Sequence, residues 1–223
     1  MKSLILNKYQ QLLPLFLGVA FCFGLLAFRI KLSYEFFYLI LVWNLFLGIV
    51  PLVTVYFLLA SAEIKRLPLL FGTLIWLLFL PNAPYIITDL IHLKHSDPGW
   101  AVVDSLIIMS FAIVSALAGF ISLREMSRIY KPLVKIKGLL AAQILILFLC
   151  GYGVYLGRFI RFNSWELVTN PLPLFEYIWA TVSHPLIYWK VWGFTLCFGG
   201  FLNLTYFTGI FVLDSKTSNT RSI

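Results

Sequence analysis

The chain has 223 residues, of which 61% are hydrophobic and only 12% are charged, and its mean hydropathy is +0.93. Soluble globular chains carry about 25% charged residues, so this composition excludes a soluble domain and predicts an integral membrane protein with the lipid bilayer as a partner. The formal net charge of +8 then follows from membrane topology and from attraction to anionic lipid. Because the sequence contains nothing like a nucleic-acid module, we expect no nucleic acid as a partner.

Six apolar runs predict six membrane-spanning helices. They cover residues 12–28, 36–60, 67–80, 101–121, 138–157 and 191–213, and most reach the roughly 17–25 residues that a spanning helix needs. The third run is short unless the helix continues past the Pro-Asn-Ala-Pro sequence at 81–84. Residues 172–189 contain prolines and many aromatic residues, which favours an interfacial or re-entrant helix. The predicted fold is all-α, a polytopic transmembrane bundle of about six spans with interfacial or re-entrant helices, in one domain over residues 1–223.

Lysines and arginines are divided unequally between the two sides of this six-span topology. Eleven lie on the side of the termini, at positions 2, 8, 65, 66, 124, 128, 131, 135, 137, 216 and 221, and six lie on the opposite side. Since basic residues are concentrated in cytoplasmic loops, both termini are predicted to be cytoplasmic in a cell membrane. The third and fifth loops then share the non-cytoplasmic face with Asp104, which begins the fourth span.

The third loop carries the sequence Leu-Pro-Asn-Ala-Pro-Tyr-Ile-Ile-Thr-Asp-Leu-Ile-His-Leu-Lys-His at residues 80–95. Pro81 and Pro84 each lack a backbone N–H and crowd the preceding turn, so we expect the helix to break here. Asn82 is typical of a helix N-cap, and Pro84 then falls in the first turn, where its missing N–H has no cost. A short second helix from about residue 83 to residue 94 is therefore predicted, with Asp89 and His92 directed towards the bundle.

Polar side chains of this second helix form the first candidate site. Tyr85, Asp89 and His92 are spaced at i, i+4 and i+7, which places them on one face of an α-helix. A carboxylate and an imidazole three residues apart can exchange a proton or share a metal ion, so Asp89 and His92 are candidate catalytic residues. Together with His95 they are candidate metal ligands, although a metal would need further ligands from elsewhere. The alternative is a capped interfacial helix whose polar face meets headgroups and water.

The fifth loop provides the second candidate site, within the sequence Gly-Arg-Phe-Ile-Arg-Phe-Asn-Ser-Trp-Glu at residues 157–166. Arg158 and Arg161 lie three residues apart at a helix end and are predicted to share a face. Paired guanidinium groups there can bind a carboxylate or a phosphate. When no ligand is bound, we expect one arginine to pair with Asp89, Asp104 or Glu166.

Two alternatives apply to the fifth loop. The arginines can extend to the membrane interface as snorkelling side chains, and Asn163 with Glu166 has the spacing of a capping box that begins another short helix. The candidate ligand-binding residues are Asn82, Tyr85, Asp104, Arg158, Arg161, Asn163, Trp165 and Glu166.

The two motifs together resemble those of a domain-of-unknown-function family of small bacterial multi-pass membrane proteins. They are Trp-Leu-Leu-Phe-Leu-Pro-Asn-Ala-Pro-Tyr-Ile-Ile-Thr-Asp-Leu-Ile-His-Leu at residues 76–93 and the fifth-loop sequence at residues 157–166. The resemblance covers nearly the whole chain. It implies an integral protein of a bacterial inner membrane and carries over no activity.

The leading interpretation is a lipid- or anion-directed membrane enzyme. The Asp/His pair would supply acid–base groups or metal ligands, the fifth-loop arginines would hold a phosphate, and the aromatic interfacial stretch would admit a lipid chain. A small transporter or channel is the first alternative, because a broken span with an Asp/His pair can line a path and relay protons. A noncatalytic partner subunit is the second, because Gly153 and Gly157 form a Gly-x-x-x-Gly pair that allows close helix contact.

Overall fold

A computed structural model describes residues 2–61, 65–162, 164 and 166–219, and their side chains except at 2–11, 95, 168 and 211–219. Every regular element in these ranges is helical, which confirms the all-α class. The α-helices are α1 (Lys2–Ser33), α2 (Ile40–Ala60), α3 (Arg66–Phe79), α4 (Asn82–Tyr85), α5 (Ala101–Tyr130), α6 (Ile136–Tyr155), α7 (Glu166–Thr169), α8 (Pro171–Ser183) and α9 (Trp189–Asn219). The same ranges contain 3-10 helices at Phe37–Leu39 and Ile86–His95 and a π-helix at Leu156–Ile160.

Five helical segments among the described residues are long and apolar enough to cross a membrane. They are Leu12–Ser33, Phe37–Ala60, Arg66–Lys94, Ala101–Tyr130 and Ile136–Ile160. The protein is therefore a helical membrane protein, as predicted. The sixth predicted span, residues 191–213, falls within α9, whose side chains from residue 211 onward lie outside the description. The count of six spans stays a prediction.

The chain folds into two compact units, the first ending at Met126 and the second beginning at Ser127. The assignment of the whole chain to one domain stays a prediction. In the first unit, apolar side chains from α1, α2, α5 and both 3-10 helices form a common core. Its buried residues include Cys22, Leu41, Ile86, Ile107 and Phe111.

The third span changes its hydrogen bonding at the two prolines. Helix α3 ends at Phe79, because neither Pro81 nor Pro84 has an N–H to bond the carbonyl four residues earlier. The backbone nevertheless stays right-handed helical, with φ/ψ of −56°/−38° at Leu80 and −60°/−23° at Pro81, and continues as α4 and a ten-residue 3-10 helix. The predicted second helix is confirmed in extent. At the predicted break α3 ends and α4 begins three residues later with helical backbone angles between them, and the change to a 3-10 helix comes at Ile86.

The proline turn is packed tightly between α2 and α5. A Cβ atom added at Gly119 of α5 would lie 2.6 Å from the Cβ atom of Ala83. A Cβ atom added at Gly48 of α2 would lie 3.3 Å from the Ala83 Cα atom and would overlap Ser115 Oγ. Ala83 is fully buried, and Pro84 is buried beside it. The two glycines therefore let the turn lie inside the unit, where neighbouring protein covers its irregular backbone.

In the second unit, α6 packs antiparallel against α9. A Cβ atom added at Gly151 would lie 3.0 Å from the backbone nitrogen of Gly199, so the two helix backbones approach closely at this point. Nearer the start of α6, Gln143 Nε2 donates a 3.1 Å hydrogen bond to the hydroxyl of Tyr206. The predicted contact at the Gly-x-x-x-Gly pair of residues 153 and 157 stays a prediction.

Replacement of Gly119 by alanine is expected to destabilise the first unit. The added methyl group overlaps the Ala83 Cβ atom, which has no rotamer to move into, and overpacking of this kind costs about 1–3 kcal/mol. Gly24→Ala is the matched control, because no atom lies within 4 Å of a Cβ atom at that position. Thermal unfolding in detergent, measured by recovery in size-exclusion chromatography, compares the two variants. Equal recovery would contradict the close packing of the turn.

Candidate functional site

Asp89 and His92 face each other on the 3-10 helix Ile86–His95. Residues three apart are eclipsed in a 3-10 helix, and Asp89 Oδ1 lies 3.6 Å from His92 Nε2. From α2, Asn44 Nδ2 donates a 2.9 Å hydrogen bond to the other carboxylate oxygen, Asp89 Oδ2. The structure therefore brings the predicted catalytic pair together and adds an amide from the second span.

The two members of this pair differ in exposure. Asp89 is only 1% exposed, which confirms that it lies within the bundle, whereas the His92 side chain is 31% exposed. The ring of Phe37 packs edge-on against the imidazole, with ring centres 5.6 Å apart. A buried carboxylate beside an imidazole that reaches the surface can transfer a proton to or from a molecule outside the protein. The arrangement is suited to acid–base chemistry.

The 3-10 helix also changes which residues share the face of the pair. With three residues per turn, Asp89 and His92 lie on the face of Ile86, which is fully buried. The α-helical spacing had predicted a face shared with Tyr85, the last residue of α4, and that stays a prediction. The hydroxyl of Thr88 donates a 2.7 Å hydrogen bond to the Tyr85 carbonyl oxygen. A ligand-binding role for Tyr85 stays a prediction.

Asn82 does not have its predicted position as a helix N-cap. It lies inside α4, whose N-cap is Pro81, and no side-chain cap hydrogen bond is formed. Asn82 Nδ2 instead donates a 3.0 Å hydrogen bond to the carbonyl oxygen of Phe79. Because the backbone does not leave helical angles at the prolines, there is no extended residue to act as a cap. A ligand-binding role for Asn82 stays a prediction.

A metal site would need more ligands than the Asp/His pair supplies. Among the side chains that the structure describes, no group of three or more His, Cys, Asp or Glu residues could hold a metal ion. The side chain of His95, the third predicted ligand, lies outside the description. Metal binding by Asp89, His92 and His95 stays a prediction.

Asp104 lies at the centre of a second buried polar cluster, at the N-terminal end of α5. Arg29 of α1 pairs with both carboxylate oxygens, Nε donating to Oδ1 at 2.7 Å and Nη2 donating to Oδ2 at 3.4 Å. The Tyr38 hydroxyl donates to Oδ2 at 3.0 Å, and the Ser96 hydroxyl donates to the same oxygen. Asp104 is fully buried and Arg29 is only 2% exposed. This is a closed ion pair within the first unit.

Two further side chains surround Arg29. Glu35 Oε2 accepts a 2.9 Å hydrogen bond from Nη2, and the guanidinium carbon lies 4.4 Å from the centre of the Trp100 ring. These ionic and cation–π contacts offset part of the cost of removing the guanidinium group from water, and Nη1 is buried without a hydrogen-bond partner. Sequence reasoning had given Asp104 as one of three acids that a fifth-loop arginine could pair with, and had counted Arg29 only among the six basic residues on the side opposite the termini. Arg29 directly follows a long apolar run and lies on the same membrane side as Asp104. This position in the sequence is the signal that could have identified Arg29 as the partner of Asp104.

The fifth-loop residues belong to the second unit. Arg158 lies in the π-helix that follows α6, and Arg161 comes directly after that helix with a left-handed φ of 69°. The helical register that predicted a shared face for the two arginines therefore ends before Arg161. Glu166 begins α7, whereas Asn163 and Trp165 lie outside the described residues. The anion-binding and acid-pairing roles of this loop stay predictions.

Replacement of Arg29 by methionine is expected to destabilise the first unit by about 3–5 kcal/mol, because the Asp104 carboxylate is left buried without a counter-charge. Glu35→Gln is the matched control. It removes the other acid bound to the same guanidinium group, but Glu35 is 53% exposed, so the expected loss is below about 1 kcal/mol. Unfolding by denaturant in detergent measures both losses, and Arg29→Met combined with Asp104→Leu should recover stability. Equal losses for the two single variants would contradict this role of Arg29.

Comparisons with known proteins identify a family and add no activity. Comparison with curated proteins and comparison with solved structures each gave no match. A family model matches residues 43–205, a range that includes Asn44, Asp89, His92 and Asp104 but not Arg29. Since this match covers most of the chain, the membrane protein described here belongs to the family described as Protein of unknown function (DUF1361).

Proposed function

We propose that the protein is a membrane enzyme that performs acid–base chemistry on an anionic or amphiphilic substrate, such as a lipid. One observation carries the proposal. The carboxylate of Asp89 is buried, within the segment Arg66–Lys94 that is long and apolar enough to cross a membrane, and it lies 3.6 Å from the partly exposed imidazole of His92. Ionisable groups inside a membrane span are costly and usually serve a function.

Each residue around the pair has a separate role in this proposal. Asn44 binds Asp89 Oδ2, so Oδ1 is directed towards the imidazole. Phe37 packs against the imidazole and restricts its movement. A separation of 3.6 Å exceeds hydrogen-bond length, and catalytic contacts of this kind often shorten only when substrate is bound. His92 then gives or accepts the proton at the substrate, and Asp89 orients the imidazole.

The position of the pair along the third span favours access from one membrane face. His92 lies three residues before the end of the 3-10 helix at His95, which corresponds to about 6 Å of helix. Only residues 96–100 separate that end from α5. A lipid in the adjacent leaflet can therefore bring its polar headgroup to the imidazole without crossing the bilayer.

A proton-coupled transporter accounts for the same pair less well. Interrupted helices in transporters expose unwound backbone to a cavity near the middle of the bilayer. In this protein the proline turn keeps helical backbone angles and is packed against Gly48 and Gly119, with Ala83 fully buried. This packing favours a one-sided site over a path along the third span.

The enzymatic proposal is tested with purified protein in vesicles of a bacterial total lipid extract, in which each lipid class is followed by mass spectrometry. We expect the unmodified protein to convert one lipid species. Asp89→Asn and His92→Gln should each slow the conversion about 10²- to 10⁴-fold, the usual contribution of general acid–base catalysis. Asp97→Asn is the matched control, because Asp97 is an exposed acid just past the same helix end, and its rate should be unchanged.

Other outcomes of this assay separate the alternatives. Full conversion by both variants would locate the chemistry elsewhere. A proton flux into the vesicles that Asp89→Asn abolishes, without lipid conversion, would identify a transporter.

Arg158, proposed to bind an anionic group, is tested in the same lipid-conversion assay. Arg158→Lys keeps the charge but loses the planar fork, so full activity of this variant beside an inactive Arg158→Ala would rule out bidentate recognition.

We further propose that the protein lies in a bacterial inner membrane with both termini in the cytoplasm. The excess of lysine and arginine on the side of the termini supports this orientation. Reporter fusions at residues 1 and 223, expressed in a bacterial host, are expected to be active only as cytoplasmic reporters. A tag at residue 223 that reagents reach only from outside the cell would reverse the orientation.

A further inference from the structure

Helix α8 lies between α6 and α9 in the chain and is too short to cross a membrane by itself. Its 13 residues extend over about 20 Å, whereas the hydrocarbon core of a bilayer is about 30 Å thick. The helix begins at Pro171 and ends at Ser183, and residues 184–188 connect it to α9.

One face of α8 packs against the long helices of the second unit. Leu174 and Thr181, seven residues apart, are buried. The hydroxyls of Tyr152 and Thr181 are 2.8 Å apart, and Trp192 Nε1 donates a 3.0 Å hydrogen bond to the Thr181 carbonyl oxygen. Since Tyr152 lies well inside the apolar segment Ile136–Ile160, α8 lies alongside the end of that segment and not beyond it.

Aromatic contacts hold the middle of α8 against the same unit. The ring centre of Tyr177 lies 6.3 Å from that of Phe162 and 5.8 Å from that of Tyr188. This face of α8 is therefore held in the unit by contacts between aromatic rings.

A second face of α8 carries a stripe of large apolar side chains. Leu172, Phe175, Trp179 and Val182 follow the 3-4-3 spacing of one helix face and are 55–73% exposed, and the exposed acid Glu176 lies at the edge of this stripe. An exposed apolar stripe with a charged edge marks contact with a membrane surface or with another protein.

We propose that this stripe lies in the lipid bilayer, among the acyl chains and glycerol groups of the leaflet at the C-terminal end of α6. The contact of Thr181 with Tyr152 sets this depth, because Tyr152 belongs to a membrane-spanning segment. Helix–helix interfaces in membranes are enriched in small residues, whereas the stripe consists of large ones, which favours lipid over a second copy of the chain. Trp179 is a residue type concentrated at the headgroup level.

Spin labels on single cysteines test the proposal in vesicles of phosphatidylethanolamine and phosphatidylglycerol. The three native cysteines, Cys22, Cys150 and Cys197, are first replaced by alanine. Labels are then placed at Phe175 and Trp179. Leu145 of α6, which is 59% exposed within a spanning segment, is the lipid-facing control, and Lys131, in the exposed turn after α5, is the water-facing control. Each labelled variant is used only if its size-exclusion profile matches that of the unlabelled protein.

We expect labels at Phe175 and Trp179 to be relaxed more by oxygen than by a water-soluble nickel chelate, with a preference for oxygen smaller than at Leu145, which lies near the middle of its span. Relaxation by the chelate to the level seen at Lys131 would show that α8 lies in water, and the proposal would be wrong. Protection from both agents with dipolar broadening between labels would show that a second copy covers the stripe. That result would also overturn the proposal.

Discussion

The contact between α1 and α5 at one end of the first unit depends on the buried ion pair between Arg29 and Asp104. The pair joins α1 to α5 across 75 residues of sequence. Two hydroxyl donors to the same carboxylate, Tyr38 and Ser96, come from the segment before α2 and from the residue after the long 3-10 helix. Four stretches of chain are thereby held together at one end of the unit. Loss of either ion would leave the other buried without a counter-charge and would destabilise the first unit.

The proposed site is a neighbour of this cluster and is held by the same segments. Phe37, which contacts the His92 ring, is adjacent in sequence to Tyr38, and Ser96 directly follows the helix that carries Asp89 and His92. The two carboxylates nevertheless have different surroundings. Asp104 is enclosed by an arginine and two hydroxyls, which suits a structural role. Asp89 contacts an imidazole that reaches the surface, which suits proton transfer to a substrate.

The irregular third span is possible because protein covers it on two sides. Glycines 48 and 119 allow α2 and α5 to approach the Pro-Asn-Ala-Pro turn, which keeps helical backbone angles at Leu80 and Pro81. The chain then continues as a 3-10 helix, whose three-residue period aligns Asp89 with His92 and turns Asp89 towards Asn44. Tight packing at the prolines and the geometry of the site are therefore linked.

The sequence by itself determined the helical membrane class, the third-span prolines as a point of change, and the Asp89–His92 pair. These depend on composition and on spacings of a few residues, and residues three apart are neighbours in either an α-helix or a 3-10 helix. Only the tertiary structure decided the partners of the buried acids. Asn44 is 45 residues from Asp89, and Arg29 is 75 residues from Asp104. Such contacts arise from the packing of separate helices, on which local spacing carries no information, and only the structure shows that the backbone keeps helical angles between α3 and α4 and continues as a 3-10 helix from Ile86.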